Sequence, residues 1–324
     1  MTTDREELKK LRVVVLAGGW SDERDISWLS GLNCQQALVE AGFAGVDILD
    51  IASEDFYEDL RRGNYDVAFP ALHGCYGEDG CIQGFLEILH MPYAFSGVLA
   101  SSVSTEKEFA KAIYRKAGIR APKGIDIPAG TELSDGELAA MVDELGLPLF
   151  VKPSGNGSSF GISKVAQADG LREAIEKAGS KGGRVLIEEC ITGTEITVPV
   201  VGNDNPVALP IIEVVFGAEF YDITVKYEPS ELHHVIPARL DPEVYRSAQE
   251  KAVAAHKALG CLGASRSDFI VTAEGDPVIL ETNTIPGMTQ NSLLPDSARH
   301  AGVEFPELCT RFVELALEAY EQRH

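Results

Sequence analysis

The sequence predicts an α/β protein, in part α+β, that begins with a doubly wound parallel sheet. The first third of the chain alternates apolar, strand-like runs with amphipathic, helix-like stretches, starting with residues 13–16 and 25–40. This β-α-β-α-β order requires crossover connections, and therefore parallel strands with helices on the faces of the sheet. Further along, a glycine-rich loop at 152–164 lies between two short strands. A pair of strands that carry charged residues follows near 265–271 and 277–284.

The first domain contains two further strand predictions and one further helix. Strands are expected near 46–49 and 67–70, with a helix near 54–62 between them. Gly18-Gly19 follows the first strand and His73-Gly74 the third. Ligands of such sheets bind at the carboxyl ends of the strands, so both turns are candidate binding positions.

The rest of the chain divides into a central and a C-terminal part. A helix is expected over 104–118, capped by Ser104 and closed by Gly118. The other predicted elements are strands within 121–128 and near 185–189, 195–201 and 207–214, a helix over 242–260 and two closing helices. We expect three domains, residues 1–104, 105–190 and 191–324.

Composition excludes several classes of partner. The chain has 50 acidic and 28 basic residues, hence a formal net charge of −22. This balance argues against non-specific binding of nucleic acid and against docking on anionic lipid. No run of 18 apolar residues predicts a membrane span, and the first residues lack the apolar segment of a secretory signal. Six scattered cysteines without zinc-like spacing indicate free thiols, so we expect a cytoplasmic protein.

The glycine-rich loop has the composition of a phosphate-binding loop. It reads Lys152-Pro-Ser-Gly-Asn-Gly-Ser-Ser-Phe-Gly-Ile162. Its glycines permit close approach of the backbone to a ligand, and Lys152 at the end of an apolar strand would direct an ammonium group toward phosphates. The loop lacks the G-x-x-x-x-G-K-[ST] pattern, so it is not a Walker P-loop. By itself it is equally compatible with a flexible hairpin.

Two polar pairs predict a magnesium site. Arg266 and Asp268 are spaced i, i+2 in one predicted strand, and Glu281 and Asn283 have the same spacing in the next. Each pair therefore points to one face, and the pairs converge if the strands are neighbours. Hard oxygen ligands of this kind suit Mg²⁺, while an arginine beside them stabilises developing negative charge.

Two loops are weaker candidates. After Glu281 the chain passes through Pro286-Gly287 into a predicted helix, where backbone N–H groups would bind a carboxylate or oxyanion. His73 opens a polar loop with glycines at positions 74, 77 and 80. A lone histidine is more often structural, so His73 alone carries little weight.

Together and in this order, the motifs resemble the D-alanine–D-alanine ligases, a family of ATP-grasp carboxylate–amine ligases. The resemblance covers nearly the whole chain, and seven ordered matches make it specific although each is weak alone. The matching stretches are 16–27, 73–84, 96–101, 152–165, 188–195, 220–227 and 263–295.

The resemblance implies the two-domain ATP-grasp fold after the N-terminal domain, and a two-step reaction. The carboxylate of one D-alanine attacks the γ-phosphate of ATP to form an acyl phosphate. The amine of a second D-alanine then displaces phosphate, giving D-alanyl-D-alanine for peptidoglycan precursors. The family implies ATP, two Mg²⁺ ions with Mn²⁺ as an alternative, and a homodimer.

The resemblance also implies roles for nucleotide and metal ligands. Lys107 and Lys152 would hold ATP phosphates, with the Ser158-Ser159 loop closing over them. Adenine would meet backbone groups of Glu188, Glu189, Cys190 and Ile191, and the ribose would meet Glu195. The magnesium ligands match Asp268, Glu281 and Asn283.

Substrate roles follow from the same matches. Glu23 matches the residue that receives the first ammonium group, with His73 nearby. Arg266 and the Gly287 N–H match the oxyanion stabilisers. Ser292 and Leu293 match the binders of the second carboxylate, and Lys226 contacts phosphate or carboxylate. Residues matching Glu23, Ser158 and Tyr227 form a hydrogen-bonded triad in the family.

Departures from the family pattern leave an alternative open. Trp20 replaces a small residue beside the first-substrate site, Asp25 replaces a glutamate and Asn156 replaces another. Tyr227 matches a loop tyrosine that is typical of dipeptide-forming members. Relatives that use D-lactate lack this tyrosine and place a histidine in the same loop. Because His233-His234 lies just beyond it, a ligase for D-lactate, D-serine or another second substrate remains the alternative.

Two other classes fit poorly. A regulatory module without catalysis would have lost some of the five polar residues Lys152, Arg266, Asp268, Glu281 and Asn283, and all are present. A dinucleotide-dependent oxidoreductase would carry G-x-G-x-x-G after the first strand, which is absent.

Overall fold

The computed structural model describes residues 5–155, 161–180, 182–216 and 232–323. The helices are α1 (Arg5–Leu8), α2 (Arg24–Glu40), α3 (Phe56–Arg62), α4 (Cys81–Ile88), α5 (Val98–Thr105), α6 (Lys107–Lys116), α7 (Asp135–Leu145), α8 (Leu171–Ala178), α9 (Pro242–Leu259), α10 (Leu293–His300) and α11 (Phe305–Arg323). The strands are β1 (Arg12–Ala17), β2 (Gly45–Asp50), β3 (Val67–Pro70), β4 (Gly124–Pro128), β5 (Leu149–Pro153), β6 (Ser163–Val165), β7 (Arg184–Glu189), β8 (Thr194–Val201), β9 (Val207–Ala208), β10 (Ile212–Phe216), β11 (Leu232–Val235), β12 (Ala264–Val271) and β13 (Pro277–Asn283).

The N-terminal sheet is parallel, as the sequence predicts, with strand order β2-β1-β3. Val13 in the central strand pairs with Val46 on one side and Val67 on the other. A hydrophobic core covers each face: Val13 and Val15 contribute to one, and Val14 and Leu16 to the other. Burial on both faces explains why β1 is a continuous apolar run.

The central sheet is antiparallel, with strand order β4-β7-β5-β6. Helices α7 and α8 cover one face and form a hydrophobic core of their own with it. Alternate residues of β5 and β7, including Lys152 and Glu188, therefore lie on the opposite face of this sheet.

The C-terminal sheet is also antiparallel, with strand order β11-β10-β8-β12-β13, and β9 pairs with β8. Helices α5, α6 and α9 pack on it through Ala100, Ala110, Tyr114 and Ala252. The N-terminal core continues into C-terminal elements, because Phe69 and Phe95 contact Phe312 of α11. The two sheets thus share a hydrophobic core.

Two predicted elements differ from those observed. The helix expected over 104–118 begins at Lys107, and Ser104 belongs to the last turn of α5. The break falls at Glu106, whose backbone is extended, next to a helix end where Ser102 and Thr105 donate to carbonyls of the 78–79 loop. The single strand expected over 207–214 is two strands, β9 and β10, separated by Leu209, Pro210 and Ile211. A proline lacks the N–H that a sheet needs there.

Several elements were not predicted. These are helices α1, α4, α5, α7 and α8 and strand β11. Helix α7 had a readable signal, because Ser134 and Glu137 form a reciprocal capping box at its N-terminus. The six cysteines are free, and Cys34, Cys261 and Cys309 are buried. Among the described helices, none is both long and apolar enough to cross a membrane.

Candidate functional site

The two polar pairs lie side by side on neighbouring strands. Strands β12 and β13 are antiparallel, and their register sets Arg266 opposite Asn283 and Asp268 opposite Glu281. A one-residue bulge follows this pair, because Phe269 faces Ile279. The four side chains are partly buried and share one face, while Ser267 and Thr282 are buried on the other. The convergence expected from the i, i+2 spacing is therefore confirmed.

On the buried face, a hydrogen-bond chain fixes this register. Ser267 and Thr282 hydroxyls lie 2.9 Å apart, and the Tyr114 hydroxyl donates to Thr282 at 2.7 Å. Tyr114 belongs to α6, so the chain attaches that helix to the strand pair. Burial raises the pKa of Tyr114, so the phenol stays protonated as the donor.

The two carboxylates of the site, Asp268 and Glu281, each form an ion pair. Arg266 makes a two-point ion pair with Asp268, through Nε at 3.0 Å and Nη2 at 2.9 Å. Thr197 on β8 also donates to Asp268, and the Asn283 amide oxygen accepts the Ile285 N–H at 2.9 Å. Within the described ranges no group of three or more histidine, cysteine or acidic residues forms a metal cluster. The oxygen set here, two carboxylates and one amide, nevertheless suits Mg²⁺.

Lys107 lies at the start of α6 and faces these carboxylates. Its Nζ is 3.4 Å from Glu281 Oε2, and only 7% of its side chain is exposed. Its backbone N–H donates to the Ser154 carbonyl at the beginning of the glycine-rich loop. Lys107 thus lies between the acidic face of the C-terminal sheet and the predicted phosphate loop.

Lys152 is buried and ion-paired with Glu188 of the neighbouring strand β7. Burial favours the neutral amine, but the carboxylates of Glu188 and Glu281 outweigh it and hold the pKa of Lys152 above its usual range. Burial likewise opposes ionisation of Glu188, but Lys152 and Lys111 hold its pKa below the usual range.

Lys111 is the site residue that sequence reasoning missed. It is fully buried on α6, one turn after Lys107, and forms a second ion pair with Glu188. The signal was its i, i+4 spacing from Lys107, which places both lysines on one side of the helix. The family match to Glu188 concerned its backbone, whereas the structure shows that its side chain joins two lysines.

The chain leaves β7 through the segment expected to meet adenine. Glu189 accepts the Lys123 N–H at 2.8 Å, and the Cys190 N–H donates to the Pro148 carbonyl at 3.2 Å. Burial raises the pKa of the Cys190 thiol. Ile191 is partly buried between β7 and β8, and Glu195 lies near the start of β8.

Gly287, Ser292 and Leu293 lie together before and at the start of α10. Ser292 occupies the N-cap position without a side-chain capping bond, and its hydroxyl lies 2.7 Å from the Thr289 hydroxyl. A Cβ at Gly287 would lie 3.0 Å from the Ser292 hydroxyl, so glycine permits this close approach. Leu293 is the first helical residue, and its N–H belongs to the anion-attracting end of the helix.

Glu23 and His73 lie together at the carboxyl edge of the parallel sheet. A Cβ at Gly74 would lie 3.3 Å from Glu23 Oε2, so the Glu23 carboxylate approaches the turn after β3. Ser21 donates to the His73 carbonyl at 2.6 Å. The His73 ring is buried, with Nε2 3.1 Å from the Ser30 hydroxyl. Trp20 beside them is exposed and contacts Tyr76 edge to face.

Four predicted site residues, Ser158, Ser159, Lys226 and Tyr227, lie outside the described residues. Asn156, a departure from the family pattern, lies outside them too.

The fold and the site define a class of protein. An antiparallel central sheet with the buried Lys152 faces a second antiparallel sheet with paired acidic residues, and a parallel α/β unit precedes both. This is the architecture of the ATP-grasp enzymes.

Comparisons with known proteins narrow the class to one family. The model for the D-ala D-ala ligase C-terminus matches residues 113–314, more than half of the chain, and the model for the N-terminus matches residues 52–96. The D-alanine–D-alanine ligase of Desulforamulus reducens is 43% identical over 95% of this chain and 99% of its own. That of Geotalea uraniireducens is 44% identical over 98% of both chains. The chain belongs to the D-alanine–D-alanine ligase family.

Solved structures agree with this assignment. The crystal structure of D-alanine–D-alanine ligase from Bacillus anthracis complexed with ATP has a TM-score of 0.84 at 32% identity, covering 97% of this chain and 100% of that one. The ligase from Coxiella burnetii has a TM-score of 0.82 at 27% identity, covering 97% of this chain and 96% of that one.

Proposed function

We propose that this chain is an ATP-dependent ligase that joins two D-alanines into D-alanyl-D-alanine through an acyl phosphate. Curated relatives that are 40–44% identical over nearly the full chain carry this name, which supports the assignment. The product would serve peptidoglycan precursor synthesis, and the cytoplasm would be its compartment.

The observation that carries the proposal is the pairing across β12 and β13 opposite buried lysines. Asp268 faces Glu281, and Lys107 lies 3.4 Å from Glu281. Anionic phosphates and a carboxylate nucleophile repel each other, so a site that joins them needs cations and metal ligands together. The proximity of lysine ammonium groups and paired carboxylates supports the proposal.

Lys107 and Lys152 would hold the ATP phosphates. Both side chains are buried, and ion pairs hold Lys107 at Glu281 and Lys152 at Glu188. Asp268, Glu281 and Asn283 would hold magnesium, two ions with Mn²⁺ as an alternative. When bound, the metal supplies positive charge that offsets repulsion between phosphate and the attacking carboxylate.

The first D-alanine would bind at the edge of the parallel sheet. Glu23 would receive its ammonium group, while the buried His73 ring, held by Ser30, would line the pocket. The substrate carboxylate oxygen attacks the γ-phosphorus, ADP leaves, and an acyl phosphate forms. Trp20 would border this pocket, where a small residue is usual.

The second D-alanine would bind at the start of α10. Ser292 and the Leu293 N–H would receive its carboxylate, because a helix N-terminus carries partial positive charge. Its neutral amine attacks the acyl carbonyl and forms a tetrahedral oxyanion, which Arg266 and the Gly287 N–H would stabilise. Collapse then breaks the carbon–oxygen bond and releases phosphate.

The remaining roles complete the nucleotide site. Backbone groups of Glu188, Glu189, Cys190 and Ile191 would contact adenine, and Glu195 would accept the ribose hydroxyls. Outside the described residues, Ser158 and Ser159 would cover the phosphates and Lys226 would contact phosphate or carboxylate. Tyr227 would complete a triad with Glu23 and Ser158, which would exclude water from the acyl phosphate.

We also propose the division into domains 1–104, 105–190 and 191–324, and a homodimer. Each of the three sheets lies within one of these segments, which supports the division. Helix α6, just after the first boundary, packs on the C-terminal sheet. Analytical ultracentrifugation of the purified chain tests the homodimer, for which we expect twice the mass of one chain.

The alternative second substrates are not favoured. The relatives are named for D-alanine, and His233 and His234 lie on β11, paired with Val215 and Val214 of β10. A strand position differs from the loop position that the D-lactate relatives use.

An ADP-release assay with D-alanine, ATP and Mg²⁺ tests the function. We expect one dipeptide per ADP, and D-alanine to outcompete D-lactate increasingly from pH ~6 to ~9 as its ammonium group loses the proton. Turnover with another amino-acid pair, but none with D-alanine, would refute the proposal.

A further inference from the structure

We propose that Lys111 is a positioning residue that neutralises Glu188 and so leaves the charge of Lys152 available to the nucleotide phosphates. The inference rests on the proposed function, because it requires ATP phosphates beside Lys152. No family match assigned a role to Lys111.

Lys111 and Lys152 contact different oxygens of the Glu188 carboxylate. The Lys111 side chain is 0% exposed and pairs with Glu188 Oε2, while Lys152 pairs with Oε1 of the same carboxylate. One buried carboxylate thus joins two buried ammonium groups. Burying three charges is costly, and the shared carboxylate offsets only part of that cost because one positive charge remains.

The arrangement is built by three elements. Lys111 comes from α6, Lys152 from β5 and Glu188 from β7. Because Phe150 pairs with Glu188 and Lys152 with Leu186, Lys152 and Glu188 are diagonal neighbours on one face of the central sheet. Lys107, one turn before Lys111, pairs with Glu281 on the C-terminal sheet. Helix α6 therefore supplies one lysine to each sheet.

Charge balance gives Lys111 its role. Lys111, Lys152 and Glu188 together carry a net charge of +1, which an anionic phosphate can use. Without Lys111 the remaining pair would be neutral, and Glu188 would hold Lys152 in a buried ion pair. Phosphate would then have to compete with Glu188 for the same ammonium group.

The pKa of Lys111 supports this balance. Burial lowers it to about 8, although the carboxylate of Glu188 opposes that change. Lys152 lowers it further, and Glu108 on the same helix raises it. Above pH ~8 Lys111 is therefore the member of the cluster that loses its proton, and we expect ATP to bind more weakly at pH 9 than at pH 7.

The test compares charge variants by equilibrium binding of Mg–ATP without D-alanine and by steady-state kinetics. We expect Lys111→Met to raise the ATP Kd and KM roughly tenfold or more, with a smaller change in kcat. Lys116→Met, an exposed lysine on the same helix, is the matched control and should match the wild type.

A double variant separates charge balance from packing. Lys111→Met with Glu188→Gln restores the wild-type net charge and frees Lys152, so it should recover most of the ATP affinity lost in Lys111→Met. Lys111→Arg should bind ATP like the wild type at pH 7 and should lose the weakening at pH 9, because arginine stays protonated.

Two results would overturn the inference: an unchanged ATP Kd in Lys111→Met, or a double variant that binds no better than the single one. Thermal melting identifies a variant that fails to fold, and in that case the pH comparison of Lys111→Arg with the wild type decides. A wild-type chain that binds ATP but forms no dipeptide would refute the proposed function and leave this inference open to the same binding test.

Discussion

Arg266 and Asp268 lie two residues apart on β12 and neutralise each other through two hydrogen bonds. Both are largely buried, with 12% and 18% of their side chains exposed. The guanidinium is therefore held rigidly in a direction set by the strand, as an oxyanion donor must be. Asp268 keeps a second donor in Thr197, so it does not depend on Arg266 alone.

We predict that Arg266→Ala lowers kcat by ~10²–10³, the range for losing one oxyanion donor. Equilibrium binding of Mg–ATP, measured beside kcat, distinguishes this loss from damage to the nucleotide site. Arg246→Ala, an exposed arginine on α9, is the control. A near-normal kcat in Arg266→Ala would remove Arg266 from the mechanism.

Single residues also show what the sequence could predict. The i, i+2 spacing in β12 and β13 predicted a shared face, because strand geometry has a period of two. The ion pair of Lys111 with Glu188 joins positions 77 residues apart, and nothing local indicates it. Its prediction requires knowing that α6 and β7 are neighbours.

One glycine of helix α2 sets the distance between this helix and the parallel sheet. A Cβ at Gly31 would lie 2.6 Å from Ala17 Cβ and 3.0 Å from Ile48 Cδ1. The helix can therefore approach β1 and β2 only without a side chain at this position. Its start also carries Glu23, so its placement determines where that carboxylate lies.

We predict that Gly31→Ala destabilises the fold by about 1–3 kcal/mol, because it overpacks a close helix–sheet contact. Gly136→Ala in the exposed first turn of α7 is the matched control, since its Cβ would meet only the Ser134 hydroxyl at 4.0 Å. That change should be neutral or stabilise by up to ~1 kcal/mol. Urea unfolding measures both, and equal effects would contradict the packing argument.

Helices and strands could be predicted where the signal lies within the sequence of the element itself. The parallel strands and α2, α3 and α9 followed from local sequence patterns, and the structure adds that Asp241 and Gly260 are the caps of α9. The break between α5 and α6 did not, because Ser102 and Thr105 are held by the 78–79 loop, a contact between distant segments. Propensity alone favours one continuous helix there.

The whole molecule combines a strong acidic excess with a local concentration of cations. The net charge is −22, yet Lys107, Lys111, Lys152 and Arg266 are largely buried where the two antiparallel sheets face each other. Acidic side chains on the surface repel polyanions, while these buried cations attract a small one. The net charge therefore argues against polyanionic partners such as nucleic acid. The fold determines where the small anionic substrate binds.

In the proposed mechanism the γ-phosphate of ATP passes to a D-alanine carboxylate before the peptide bond forms. Turnover of D-alanine labelled with ¹⁸O in its carboxylate, followed by mass spectrometry of the released phosphate, tests it directly. One labelled oxygen should appear in each phosphate, because the carbon–oxygen bond of the acyl phosphate breaks when the amine attacks. Unlabelled phosphate from an enzyme that is forming dipeptide would contradict the account.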